Sequence, residues 1–338
     1  MALKSVRNIA AASPAETFRH IRDFLIASNG IADYSATGVG YTVVDSSYAG
    51  GNSSAPAPGD WCVLASNGEA DSYPLYYRLE FGTTNRHRIK IYLGWNATTH
   101  TGIGEAYSGD NIEHGGAAST ISIHADLDEI HIIIKPSASA NTYWHPFFRL
   151  TSTTYSGDAL PVAAAIAAGS NVDITLPSWP PWAEAGKIIY NWDGTGMHLL
   201  TITAIDQAGL TITVATSYAK SAGSWLAEDL CYGVPKDGWS SITSVNCVPQ
   251  RSGSLTDTTY AIVYPAIASL GPDSKYGHRF VADLFVATAG ELHGKFKLAR
   301  ETSAPSAQGE AWVDIATGQA YRIYTAYSGK HIAIIEAT

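Results

Sequence analysis

Residues 119–135 read Ser-Thr-Ile-Ser-Ile-His-Ala-Asp-Leu-Asp-Glu-Ile-His-Ile-Ile-Ile-Lys. Ile121, Ile123 and Ala125 alternate with Thr120, Ser122 and His124, the period-two pattern of a half-buried strand. The run 126–129, Asp-Leu-Asp-Glu, supplies turn chemistry, because Asp carboxylates accept backbone N–H groups two residues on. A second strand follows with Ile130, Ile132 and Ile134 on one face and His131, Ile133 and Lys135 on the other. It is the more apolar of the two and is expected to be the more central. The stretch therefore predicts a β-hairpin in the middle of a large antiparallel sheet.

Working outward on the N-terminal side, strand patterns cover residues 40–44, 60–65, 75–81 and 88–93. Two long loops interrupt them, at 46–58 and 95–116, and long loops within a β domain are usually functional or interfacial. Residues 1–12 read as an arm with few anchors. Ser13-Pro14-Ala15-Glu16 is a helix start, with a capping serine, a proline suited to the first turn and a glutamate that completes a capping box. Phe18, Ile21 and Leu25, joined by Phe24, make one apolar stripe. The stripe predicts a helix covering a sheet face, with docking to a neighbouring subunit as the alternative. Asn29-Gly30 is expected to end the helix.

On the C-terminal side, residues 141–150 are rich in aromatic side chains and close the first β region. Residues 162–168 read as an Ala-rich linker or short helix. Residues 169–234 then show self-contained alternation with Asp-Gly and Ala-Gly turns, which predicts a small inserted β-barrel. The last hundred residues return to strand patterns and end in a meander over 312–336. The expected organisation is an N-terminal arm and helix (1–37), a β-sandwich or jelly-roll-like domain (38–158), the small barrel (169–234) and a C-terminal β region (235–338) packing with the first. The fold class is mainly β.

Composition narrows the function. Only 15% of the 338 residues are charged and the formal net charge is −9. A nucleic-acid binder needs a basic face to displace counterions, so nucleic acid is not an expected partner. The densest basic run, residues 86–90, alternates like a strand with one charged face. No run approaches the ~20 apolar residues that span a bilayer, so membrane insertion is not expected. The first residues do not read as a signal peptide, which predicts synthesis in a cytoplasm. Cys62, Cys231 and Cys247 are too widely spaced for a zinc or redox motif, and Cys62 reads as a small core residue.

Three segments carry a family resemblance. They are residues 59–69, Gly-Asp-Trp-Cys-Val-Leu-Ala-Ser-Asn-Gly-Glu; residues 95–102, Trp-Asn-Ala-Thr-Thr-His-Thr-Gly; and residues 126–135, Asp-Leu-Asp-Glu-Ile-His-Ile-Ile-Ile-Lys. Together they resemble a broad family of tailed-bacteriophage virion structural proteins, over roughly residues 15–150. The resemblance implies a virion component, made in the host cytoplasm, whose partners are itself and other virion proteins. It attaches no catalytic motif.

No nucleophile elbow, phosphate loop, zincin helix or dinucleotide fingerprint is present, so neither an enzyme nor a cofactor is expected. The best metal candidates are His124, Asp126, Asp128, Glu129 and His131, whose ordinary reading is turn and strand structure. Glu69, Asp71, Glu105, Asp110 and Glu113 lie in or beside loops without a spacing that marks an acid/base pair. Aromatic anchors in loops and on the helix stripe are the better contact residues: Phe18, Leu25, Tyr48, Trp95, His100 and Tyr107 are the interface candidates. The expected role is a tail, baseplate, collar or fibre-associated protein assembling as a homo-oligomer. The alternatives are a carbohydrate-binding adhesin recognising a host glycan and a capsid-surface or vertex protein.

Overall fold

The computed structural model describes residues 3–26, 38–48, 56–68, 73–82, 86–106, 111–150, 159–193, 196–227, 231–235, 244–248, 258–263, 281–288, 291–302, 307–326 and 331–336. Among the described residues the fold is mainly β and sandwich-like, with antiparallel sheets and one helix near the N-terminus. Ser119–Ala125 and Glu129–Pro136 form the hairpin, with Ile132 opposite Ile123 and His131 opposite His124. It belongs to a twelve-stranded sheet. From one edge the order is Lys4–Ala11, the two hairpin strands, Tyr143–Leu150, Cys231–Pro235, Ser244–Val248, Thr258–Val263, Val281–Thr288, Glu291–Thr302, His331–Ile335, Ala320–Thr325 and Glu310–Val313.

Both faces of the hairpin are covered. Ile121, Ile123, Ile130 and Ile132 share a core with Phe18, Ile21 and Leu25 of the helix Pro14–Leu25. Leu64, Tyr77, Ile89 and Ile91 reach the same core from a five-stranded sheet. Its order is Thr42–Ser46, Trp61–Ser66, Leu75–Glu80, Arg86–Tyr92 and Ile112–Glu113. The other hairpin face packs Ile133, with Trp144 and Phe148, on Leu284, Val286, Phe296 and Ile334. Those last residues lie on strands far from the hairpin in sheet order, so the large sheet curls back over itself. Each large apolar side chain enclosed this way contributes on the order of 1.5–3 kcal/mol.

Buried polar bonds close the curl. The Glu129 carboxylate accepts the backbone N–H of Lys297 and, at 2.9 Å, that of Leu298. His124 lies 3.0 Å from Ser5 Oγ and 3.0 Å from Tyr324 Oη, joining the N-terminal edge strand to the C-terminal meander. Arg7 pairs with Glu336 at 2.9 Å beside them. The C-terminal strands thus continue the hairpin's own sheet.

The N-terminal arm expected over residues 1–12 is corrected: Lys4–Ala11 is a strand paired with Ser119–Ala125. Its register shifts between Val6 and Ile9, where Asn8 takes a left-handed φ of 54°. That bulge breaks the period-two pattern and hides the strand from the sequence. The helix starts at the expected capping serine, but Glu16 reaches back to the N–H one residue before the cap rather than to that of Ser13. Ser13 Oγ accepts from Glu16 N at 3.3 Å, and Glu16 Oε2 accepts from Ala12 N at 2.6 Å. The expected stop at Asn29-Gly30 lies outside the described residues.

A second correction concerns the linker over 162–168. Leu160–Val162 is a strand paired with Ser224–Ala227, and Ile166 bridges to Lys220. The middle unit is a six-stranded sheet, with Leu160–Val162 and Gly169–Thr175 at its edges. Val162, Ile174, Trp182, Ile189, Ile202, Ile212 and Leu226 enclose its own core. Cys231–Pro235 belongs instead to the large sheet. Residues 159–227 expressed alone are therefore expected to give a dispersed amide spectrum. A collapsed spectrum would show that the core shared through Tyr190, Trp192 and Met197 is indispensable.

Candidate recognition surface

On Trp61–Ser66 and Leu75–Glu80, alternation puts Leu64, Tyr77 and Leu79 into the core and Trp61, Val63, Tyr76, Arg78 and Glu80 on the outer face. Val63, Tyr92 and Trp95 make a small buried cluster there, with Trp61 and Tyr76 partly buried against it. The Arg78 guanidinium lies 4.7 Å from the Trp61 ring centroid and 5.7 Å from that of Trp95, a cation–π contact with both indoles. Glu80 takes Arg78 at 2.8 Å and Arg88 at 3.2 Å. Tyr92 Oη donates to Glu105 Oε2 at 2.7 Å, and Lys90 is 3.7 Å from the same carboxylate.

A short hairpin, Gly94–Asn96 and Thr101–Ile103, lies beside this face. Asn96 Oδ1 accepts from Thr98 N at 2.9 Å and Thr99 N at 3.2 Å, an Asx turn. Gly102 permits a close approach, since a Cβ there would stand 2.2 Å from Tyr92 Cδ1. Asp45 holds the hairpin down. It accepts from Trp95 Nε1 and from His100 Nδ1, each at 2.8 Å, and from Ser46 N at 2.9 Å. Burial pushes the Asp45 carboxyl up, but the bonds from His100, Trp95 and Ser46 outweigh it and hold the group below its ordinary value. The stabilisation from Asp45 is thus present above the unfolded carboxylate range and is lost as pH falls through the lowered value. Asp45→Ala is expected to cost about 1–3 kcal/mol, because the Trp95 indole N–H, mostly enclosed, loses its acceptor. A thermal melt, with hydrogen exchange over residues 94–103, checks this; an unchanged hairpin would refute it.

The other two motif segments meet on the far side of the five-stranded sheet. Asp126 Oδ1 accepts from Asp128 N and Glu129 N, both at 2.8 Å, and forms the turn. Ser66 Oγ donates to the Leu127 carbonyl at 2.6 Å. Arg149 donates to the carbonyls of Tyr73 at 2.7 Å, Ser66 at 2.9 Å and Asn67 at 3.2 Å. Gly68, at φ +77°, passes so close that a Cβ would lie 2.6 Å from Asp128 Oδ1.

The interface candidates divide. Phe18, Leu25 and Tyr48 are buried in this chain's own core, with Tyr48 edge-on to Phe18 at 6.2 Å and under Arg22 at 5.0 Å. They are corrected to packing residues, since little of their surface remains for a neighbour. Trp95 is 8% exposed and anchors its loop inward. His100 is the outward candidate, its side chain 56% exposed and its ring 5.4 Å from Trp61. Tyr107, Glu69, Asp71 and Asp110 lie outside the described residues. Glu105 and Glu113 pair with Lys90 and Arg86. The five residues proposed for a metal serve the turn and the bonds that close the curl. Among the described residues no group of three or more His, Cys, Asp or Glu is placed to hold a metal ion.

Sequence reasoning missed Asp45, Arg78 and Arg149. Arg149 had a signal, as the one formal charge in the run Tyr-Trp-His-Pro-Phe-Phe-Arg-Leu. Asp45 had none, because the register shifts beside it. No family model matches the chain, and no curated protein matches it.

Proposed function

We propose that this chain is a non-enzymatic structural component of a tailed-phage virion, in the tail, baseplate, collar or fibre region, and that it forms a homo-oligomer. The observation that carries the reading is the use of the three motif segments as internal bracing. Ser66, Gly68 and the turn 126–129 converge on Arg149, and the 95–102 loop is tied down through Asp45. Motifs used this way hold a rigid shape, which is what a repeated particle subunit needs. The outer face around Trp61 and His100 is the contact region in this reading. Among the described residues no helix is long and apolar enough to cross a membrane.

The test is the mass-spectrometric composition and reconstruction of purified particles, with His100→Ala and Trp61→Ser compared with wild type for incorporation. Absence of the chain from particles overturns the reading; normal incorporation of both variants removes this face as the contact. The partly exposed Trp61 ring beside His100 favours a second reading, a host-glycan adhesin, because aromatic faces stack on sugar rings. A glycan array that stays blank rejects it.

A further inference from the structure

Three histidines meet where the helix start, the strand Arg86–Tyr92, residues 111–116 and the strand Tyr143–Leu150 come together. His87, His114 and His145 are 0%, 0% and 1% exposed. The His87 and His114 rings are 4.2 Å apart. His87 Nε2 lies 2.9 Å from the Pro14 carbonyl and so carries that ring's proton, leaving Nδ1 as an acceptor. Gly116 N donates to His114 Nδ1 at 3.1 Å, so the proton of that ring sits on Nε2. The His145 ring lies near the backbone of Glu113 and Asn111, which favours its charged form without outweighing burial. Among the described residues, His87 Nδ1, His114 Nε2 and His145 Nε2 have no hydrogen-bond partner. Buried polar nitrogens of this kind are uncommon, and three in one joint is a cost that opening to water would relieve.

Burial and the nearby Arg86 disfavour added positive charge at the joint, against the pull of a few carbonyl groups. From the strand Arg86–Tyr92 the joint is faced by Arg86, and from residues 111–116 by Glu113, whose carboxylate already takes Arg86 at 2.7 Å and Gly115 N at 2.9 Å. The helix contributes the Pro14 carbonyl and the Phe18 ring, 5.7 Å from His87, and Phe81 lies 4.9 Å away. Tyr143 stacks beside His145. We propose that this three-histidine joint is an acid-operated catch, which opens on proton uptake and releases residues 111–116 from the strands Arg86–Tyr92 and Tyr143–Leu150. Asn111, whose side chain bonds both Ile89 N and Ile89 O, is the contact that gives way with it.

The sign and steepness follow from linkage. Burial lowers all three groups: His87 well below its ordinary value, with His114 adding repulsion; His114 to about 4; and His145 to about 3. The closed joint is therefore fully stable above the ordinary histidine value near 6.5 and loses stability as pH falls from there toward 4. Opening returns each ring to water and takes up as many as three protons. Its equilibrium constant then rises up to about tenfold per proton, or about a thousandfold, per pH unit.

Hydrogen exchange on the whole chain between pH 7.5 and 5.0, corrected for the chemistry of exchange itself, tests the catch. Peptides covering residues 86–92, 111–116 and 143–148 are expected to lose protection below pH 6.5, before those covering Met197–Asp206 and Thr211–Thr216. The local slope should exceed tenfold per pH unit, and His114→Gln and His145→Gln should each remove up to one proton's worth of it. His124→Gln is the control. That ring is also buried and lowered to about 3, but it lies between Ser5 and Tyr324, outside the joint, so the variant should leave the local slope unchanged. Protection at the joint that persists to pH 5.0 overturns the proposal. So does simultaneous loss across the whole chain, or a slope indifferent to His114 and His145.

Discussion

Replacing Glu129 by Ala is expected to destabilise the fold by about 3–5 kcal/mol, the range for removing one partner of a buried, hydrogen-bonded charge. The side chain is 1% exposed and accepts from three donors: Lys297 N, Leu298 N at 2.9 Å and His131 Nε2 at 2.9 Å. Trp144 Nε1 donates to His131 Nδ1 at 3.1 Å, which fixes the His131 proton on Nε2, facing the carboxylate. Alanine leaves that proton and two backbone N–H groups without their acceptor, at about 1–3 kcal/mol for each of the buried donors on His131 and Leu298 and less for the part-buried Lys297 N. Glu129→Gln should also fail, because its amide group presents donors to donors. The neighbouring ion pair makes the contrast. Lys297 Nζ sits 2.9 Å from Asp126, but the lysine side chain is 49% exposed, so Lys297→Ala should cost no more than about 1 kcal/mol. Urea denaturation of the three variants decides it. Equal small losses would mean that Glu129 does not hold the curl. A total stability of about 5–15 kcal/mol is usual for a domain, so a loss in the expected range approaches unfolding.

The same residues show how far the sequence could be read. The hairpin was legible because Ile121, Ile123, Ile130, Ile132 and Ile134 keep strict alternation around a turn whose chemistry Asp126 announces. The middle unit was legible for the same reason, as Leu210, Ile212 and Val214 show the period within one short segment. Alternation says which residues share a face, but not what lies upon it. His124 and His131 fall on the polar face, which in a one-layer reading faces solvent. A second layer, carrying Phe296 over His131 and Tyr324 over His124, buries both. The contact from Glu129 to Lys297 spans 168 positions, and no local pattern encodes it. The candidate surface was only half visible. Trp95 and His100 stood out as loop aromatics, but the residue that turns Trp95 inward is Asp45, beside a bulge that conceals its facing. Phe18 and Leu25 were read as both packing and contact residues, and Tyr48 as a contact residue. Which role prevails depends on the area of sheet available to cover them, and that is a property of the assembled layers.

Arg149 is where a single substitution should separate two of the motif segments. Its guanidinium reaches three main-chain carbonyls, stands 4.6 Å from the Tyr73 ring centroid and lies 3.7 Å from Asp128. Methionine keeps much of the apolar stem but supplies no donors, so the bonds to Ser66 O, Asn67 O and Tyr73 O and the ion pair with Asp128 are lost. The expected loss is about 3–5 kcal/mol, the range for breaking a buried charge network. Lysine restores the charge and three donors, but on one nitrogen, so it does not reproduce the reach of Nη1 and Nη2 to separate carbonyls and should recover less than half of the loss. Gly68→Ala probes the joint from the other side. It adds a Cβ 2.6 Å from Asp128 Oδ1 at a φ of +77°, and such strain costs on the order of 1–3 kcal/mol. If Arg149 braces the loop, Arg149→Met and Gly68→Ala should couple, because both displace the same contact with Asp128; their combined loss should fall short of the sum by at least about 0.5 kcal/mol. Denaturation of the single and double variants measures the coupling. Strict additivity would mean that the two residues act independently and that the convergence of the segments on Arg149 does not stabilise the fold.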